Sequence, residues 1–238
     1  MEKREKERVT EVARTADFAH GIMTPAIEYC GQVFRRYMKP EGSVLELGPA
    51  EGIMTDELYP SFPDYTVVDG ADFFVEDLKR RYPKIEGHAC LFEDFHPTRQ
   101  YDTILLGHVL EHVENPVDIL KLCKQWIKRG GRIVSAVPNC DSIHRQAAVR
   151  MGILKRVDEL GETDHRNGHR RVYNRARLKE DFEAAGFRIV KLGGYWLKPL
   201  ANAQLEQIFT PKMTRAFFEL GEDYPEIAGE IYIVAEAE

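Results

Sequence analysis

Apolar residues recur along this chain in short bursts separated by stretches of mixed pattern. From Thr24 to Met38, Ile27, Cys30, Phe34 and Met38 keep helical spacing behind Pro25, which predicts an amphipathic helix. The pattern then alternates. SVLEL (43–47) reads as a strand, IMTDELY (53–59) as a short helix stopped by Pro60, and YTVVD (65–69) as a second strand. A helix through DFFVEDLKRRY (72–82) precedes HACLF (88–92), a third strand. YDTILLG (101–107) is a continuous apolar run, as expected of a strand covered on both faces. Asn115 caps a helix with Pro116 at its first position, which runs to about Lys128 and ends at Gly130-Gly131. RIVSAVP (132–138) is the fifth strand.

The regularity then lapses. Residues 139–175 are polar and rich in His and Arg. ARLKEDFEAAG (176–186) is a helix closed by Gly186, and FRIVKLGGY (187–195) is a strand. A helical insert is expected from about Asn202 to Leu220, and EIYIVAEA (230–237) ends the chain as a strand. Repeated strand–helix alternation with short connections predicts an α/β fold whose mostly parallel sheet is doubly wound. The two irregular regions and the N-terminal helix are candidates for a lid over the crevice at the carboxyl ends of the strands.

Composition narrows the partners. The 238 residues fit one domain, and a formal net charge of -6 argues against a polyanion such as RNA or DNA. The first residues, MEKREKERVTEVAR, lack the apolar stretch of a signal peptide, and no apolar run is long enough to span a membrane. Cys30, Cys90, Cys123 and Cys140 are scattered without a C-x-x-C pair and read as reduced thiols. The expectation is a cytoplasmic enzyme of undetermined oligomeric state.

The stretch VLELGPAEG (44–52) runs from a strand into a glycine-bearing turn. A dinucleotide site would want close backbone approach to pyrophosphate. Here the middle glycine position is Ala50, after Pro49, and Glu46 sits two residues before Gly48. A carboxylate there repels pyrophosphate and attracts a cation, which disfavours NAD and suits the ammonium and sulfonium of S-adenosylmethionine. Asp69 ends the second strand about twenty residues on, where a carboxylate can accept from two ribose hydroxyls.

VLELGPAEG, VVDGAD, YDTILLGHVLEHVENP and GGRIVSAVPN, in this order, resemble the motifs of class I S-adenosylmethionine-dependent methyltransferases over roughly residues 40–140. The resemblance implies a Rossmann-like, seven-stranded sheet with an antiparallel last strand and helical lid insertions. It implies one domain over 1–238: a helical cap (1–42), a cofactor-binding core (43–138), substrate-side insertions (139–228) and the final strand (229–238). By position, Glu46, Gly48 and Gly52 would surround the methionine part and Asp69 the ribose. An acidic residue near the third strand, Glu93 or Asp94, would reach the adenine. Ala50 departs from the commonest glycine-rich form.

The same resemblance places the methyl group near the carboxyl end of the fourth strand, so His108 is expected to touch cofactor or substrate and to act in catalysis. Glu111 and His112 belong to an LEHV segment common across the family, where packing is the usual role. His108, Glu111 and His112 form H-x-x-E-H, similar to the E-x-x-E-H metal pattern of some quinone and RNA methyltransferases. Histidine in place of the first Glu suits magnesium poorly, and no metal is expected.

In DHRNGHRRVYNRARLK (164–179), His165 or His169 could serve as base, and Arg170 or Arg171 could grip a carboxylate or phosphate. Tyr173 could close the pocket, and His144 and Arg145 lie upstream as further substrate contacts. Tyr195 and Trp196 read as packing, and Phe18, His20 and Met23 as a cover for the cofactor. The expected reaction is methyl transfer to an oxygen or nitrogen of a small molecule, a sugar, nucleotide-sugar or other anionic metabolite. The alternatives are an RNA- or protein-modifying methyltransferase and a non-catalytic binding protein of the same fold.

Overall fold

In the computed structural model, which describes residues 2–16 and 18–237, seven strands form one sheet in the order β3-β2-β1-β4-β5-β7-β6. The strands are β1 (Val44–Leu47), β2 (Tyr65–Asp69), β3 (Glu86–Ala89), β4 (Tyr101–Gly107), β5 (Ile127–Pro138), β6 (Arg188–Tyr195) and β7 (Glu230–Glu236). The pairs among β1 to β5 are parallel, whereas β7 runs antiparallel to both β5 and β6. Between them lie α2 (Met23–Arg35), α3 (Ile53–Leu58), α4 (Asp72–Arg81), α5 (Pro116–Trp126) and α8 (Arg175–Ala184). The additions are α1 (Glu2–Thr15), α6 (Ile143–Arg150), α7 (Glu162–Arg166), α9 (Asn202–Ile208) and α10 (Pro211–Asp223).

Period-two alternation divides each central strand between two cores. Ile104 and Leu106 of β4 join Leu45, Leu47 and Ile133 against α5 and α8. Leu105 joins Val44, Val67 and Val134 against α2, α3 and α10. Both faces are covered, so the sheet is doubly wound as the alternation predicts.

Two boundaries differ from the sequence expectation. The third strand is Glu86–Ala89, earlier than HACLF, because Leu91 and Phe92 turn inward and Phe92–Asp94 forms a 3₁₀ turn. The helix after Asn115 stops at Trp126, and β5 starts at Ile127, which pairs with Tyr101 ahead of a register shift. Gly130, at φ 64°, therefore lies inside a strand. Asn115 holds the cap position, but its amide donates to Asp118 Oδ2 at 2.6 Å rather than receiving a backbone N–H. No described helix is long and apolar enough to cross a membrane.

Candidate active site

The turn between β1 and α3 sits where parallel strands end and helices begin. Gly48 and Gly52 take φ values of 65° and 80°, the left-handed region that costs glycine nothing. A Cβ on Gly52 would lie 2.6 Å from Leu78 of α4, so packing as well as φ demands glycine there. Ala50 adopts φ 46° without that freedom.

Glu46 is not at the crevice surface. Its side chain is 2% exposed, and Oε2 accepts from Thr55 Oγ1 at 2.6 Å and Tyr65 Oη at 2.9 Å. Burial pushes its carboxyl up to about 7 despite those two hydrogen bonds. The expectation of an open charge partner for a cation is corrected: this carboxylate ties α3 and β2 beneath the turn.

Asp69 is better placed for hydroxyl donors. It is nearly buried and accepts from the Ala71 amide at 2.8 Å and, more weakly, from the Ala50 amide at 3.3 Å. Burial lifts it to about 6, against the pull of those two amides. A carboxylate accepts about four hydrogen bonds, so Asp69 retains acceptor capacity. Glu93 and Asp94 are both solvent-exposed on the 3₁₀ turn, while Leu91 and Phe92 approach Gly70 and Gly48 respectively.

Helix α1 straps across these strand ends. A Cβ on Gly70 would meet Val9 at 2.8 Å, and one on Gly168 would meet Val12 at 2.8 Å. Arg8 donates to the His112 carbonyl at 3.1 Å, and Arg170 pairs with Glu5 at 2.8 Å. Phe18 packs edge-on against His112, Met23 joins the α2-side core, and His20 is exposed.

His108 follows β4 at φ 58°, with its amide bonded to the Ala136 carbonyl. Its Nε2 lies 3.1 Å from the Tyr195 hydroxyl. Its Nδ1 lies 3.5 Å from Glu111 Oε1 and 3.7 Å from Glu230 Oε2, distances of ion pairing rather than hydrogen bonding. Burial alone would lower the imidazole, but Cys30, Glu111 and Glu230 outweigh it and raise the pKa well above its ordinary value. The neighbouring carboxylates thus favour the imidazolium form of His108.

Glu111 is fully buried with no hydrogen-bond partner for either oxygen among the described residues, and Glu230 Oε2 is likewise without one in a residue 5% exposed. Burial drives His112 down to about 4 and His144, near Lys198, to about 3, so both are neutral. His169 Nδ1 meets Asp164 at 3.1 Å, and Asp164, which burial would raise, is held well below its usual range by His169, the Gly161 amide and Arg145. Glu111, His112 and His169 bring ligand atoms within 4.8 Å of one another and could geometrically hold a divalent ion. The charges of His108 and Arg8 beside them oppose one.

The arginines are engaged elsewhere. Arg171 donates to the carbonyls of Leu110, Val113 and Glu114, and Arg170 to the His112 carbonyl and Glu5. Arg145 reaches the carbonyls of Val157 and Glu159 and the carboxylate of Asp164. They bind the loops after β4 and β5 into one body, which corrects their assignment to an anionic substrate. Tyr173 is also corrected: it is fully buried in the core under α8, with its hydroxyl on Asp181 at 2.8 Å. His165 is exposed on α7. Tyr195 and Glu230 are the residues that sequence reasoning missed. The one local signal was a glutamate opening the apolar run IYIVA of the final strand.

A seven-stranded sheet with this reversal, a glycine turn after β1 and an acid after β2 points to a donor site for a nucleoside without pyrophosphate. The profile of a methyltransferase domain family matches residues 18–192, well over half of the chain. The chain belongs to this family. It is an S-adenosylmethionine-dependent methyltransferase. A ubiquinone biosynthesis O-methyltransferase of Aeromonas salmonicida is 25% identical over 127 residues, 53% of this chain, which spans about half of that relative's length. The fold is shared with an N-methyltransferase of Bradyrhizobium japonicum solved with S-adenosyl-L-homocysteine, at TM-score 0.61 and 12% identity over 98% of both chains. It is also shared with the 1,6-didemethyltoxoflavin-N1-methyltransferase of Burkholderia thailandensis, at TM-score 0.61 and 15% identity over 89% of this chain and 78% of that one. In this methyltransferase Asp69 keeps acceptor capacity for hydroxyl donors.

Proposed function

We propose that this methyltransferase moves a methyl group to an oxygen or nitrogen of a small molecule held at the carboxyl ends of β4 and β6 and the start of β7. The observation that carries the reading is the juxtaposition of the Gly48–Gly52 turn and Asp69 with a buried polar cluster around His108. Bound S-adenosylmethionine supplies an electrophilic methyl on a sulfonium. The chain's task is then to orient the acceptor and keep water out. Gly48 leaves room for the methionine part and Asp69 accepts from the ribose hydroxyls. The adenine end falls at the Phe92–Asp94 turn. Glu46 acts from below by fixing the turn.

The strap of α1 and the arginine-stitched loops favour an enclosed small acceptor over RNA or a protein surface. Those arginines were the sequence feature that favoured an anion, and their engagement removes that support. Calorimetric titration with S-adenosyl-L-homocysteine, with NAD in parallel, tests the donor site. Binding of the first alone is expected, weakened about 10-fold or more in Asp69→Asn, which loses a charged acceptor. Equal binding by Asp69→Asn removes Asp69 from the site, and binding of NAD instead refutes the reading.

A further inference from the structure

Sequence reasoning gave Glu230 no role, yet its carboxylate lies beside His108 at the strand ends. It is the first residue of β7, opposite Pro138 of β5 and Tyr195 of β6. Because β7 is antiparallel to both, its beginning lies beside the carboxyl ends of β5 and β6, next to the residue that follows β4. Its Oε2 is 3.7 Å from His108 Nδ1, has no hydrogen-bond partner among the described residues, and belongs to a residue 5% exposed. A buried carboxylate oxygen left without a donor costs free energy that a ligand N–H or O–H recovers.

Resting on the methyltransferase reading above, we propose that Glu230 accepts the hydrogen of the acceptor's amine or hydroxyl, and that the acceptor is donor-bearing and carries no anionic group at its reacting end. The balance is simple. The donor's sulfur–methyl bond breaks, a nitrogen– or oxygen–methyl bond forms, and the proton released from that nitrogen or oxygen passes to Glu230. The neighbours fit the assignment. His108 is occupied by Tyr195, Glu111 and Glu230 itself, and so positions the carboxylate. Lys198 lies over the Trp196 ring at 4.8 Å and faces Glu230 and Asp164, so its charge is already countered. His169 and Glu111 are the other titratable groups that act on Glu230, and burial keeps its carboxyl above the ordinary range, toward the pKa a base needs near neutrality. A hydrogen donor facing the unpartnered oxygens of Glu111 and Glu230 would supply the bonds they lack, which an anion cannot.

The test uses the full chain and matched acceptors: tyramine against 4-hydroxyphenylacetate, and glucosamine against glucuronate, each with radiolabelled S-adenosylmethionine. The amine members are expected to be methylated at least about 10-fold better than the carboxylates. Glu230→Gln should lose about 100-fold in kcat/KM and the acidic limb of its pH profile, while Glu230→Asp keeps that limb. S-adenosyl-L-homocysteine binding should stay unchanged in both variants, which shows that they fold. Preference for the carboxylates, no turnover of any of the four, or an unaltered rate and pH limb in Glu230→Gln overturns the proposal. Failure of wild type to bind S-adenosyl-L-homocysteine would instead strike the donor-site reading.

Discussion

Replacing Glu46 by Gln separates a buried support from a charge partner. Gln keeps an acceptor for the Thr55 and Tyr65 hydroxyls and removes the ionisation. In the folded protein burial raises the Glu46 carboxyl from 4.5 to about 7, against the opposing pull of those hydroxyls. At about 1.4 kcal/mol per unit, the shift amounts to about 3 kcal/mol. The sign follows from proton counting: between 4.5 and 7 the folded state holds the proton that the unfolded state has lost, so stability falls as pH rises. Below 4.5 both states are protonated and the penalty is absent, whereas above 7 it is complete. Urea unfolding of wild type and Glu46→Gln is therefore expected to give near-equal stabilities at pH 4. Above pH 7.5 the variant should be more stable by about 3 kcal/mol, or roughly 10 °C in Tm for a chain of this size. Asp69 titrates in an overlapping window but is common to both proteins and cancels. A gap that does not change with pH, or a variant less stable at pH 8, would refute the burial argument. Loss of S-adenosyl-L-homocysteine affinity by more than 100-fold would refute the supporting role.

Three other perturbations probe the frame around the site. Gly221→Ala would place a Cβ 2.1 Å from the Trp196 amide and 2.3 Å from the Tyr195 carbonyl carbon, so α10 must move away from β6. A loss of about 3 kcal/mol in denaturant unfolding is expected, and an unchanged midpoint would contradict the contact. Glu5→Ala frees Arg8 and Arg170 from one half-exposed pair, which should cost less than about 1 kcal/mol globally. Hydrogen exchange across residues 2–15 should nevertheless quicken about 5-fold or more, and unaltered protection would show that Val9 and Val12 alone hold the strap. Removal of divalent ions with EDTA should leave Tm and methyl transfer unchanged, because His108 and Arg8 already surround Glu111, His112 and His169 with positive charge. A drop restored by zinc would reverse that reasoning.

What the chain declares locally, it declares well. Strands β1, β2 and β4 are runs of buried residues, and their apolar character alone locates them. The third strand escaped because EGHA is a polar, half-exposed edge strand, whereas the apolar Leu91 and Phe92 beside it serve a turn. Gly130-Gly131 reads as a helix stop, but the helix had already ended where Ile127 found Tyr101. The arginine cluster was misleading for a different reason. Density of charge is visible in sequence, but the carbonyls of Leu110, Val113 and Glu114 that absorb Arg171 lie about sixty positions away. The signal was real and its partner was not local.

Glu230 shows how topology can create a site from residues that are silent in sequence. A parallel β7 would carry its first residue to the far edge of the sheet, away from His108. The antiparallel reversal pairs Glu230 with both Pro138 and Tyr195 and so sets it beside the strand ends where the donor turn also opens. The same reversal puts the Tyr195 hydroxyl on His108 Nε2, fixing the ring whose other nitrogen faces Glu111 and Glu230. With His108 at φ 58°, the chain places an imidazolium between two buried acids in a conformation that non-glycine residues seldom adopt. Strain held in place at a strand end, beside unpartnered carboxylate oxygens, is what a preorganised acceptor site requires. The final strand thus contributes the carboxylate that the proposed acceptor, an amine or hydroxyl, would meet.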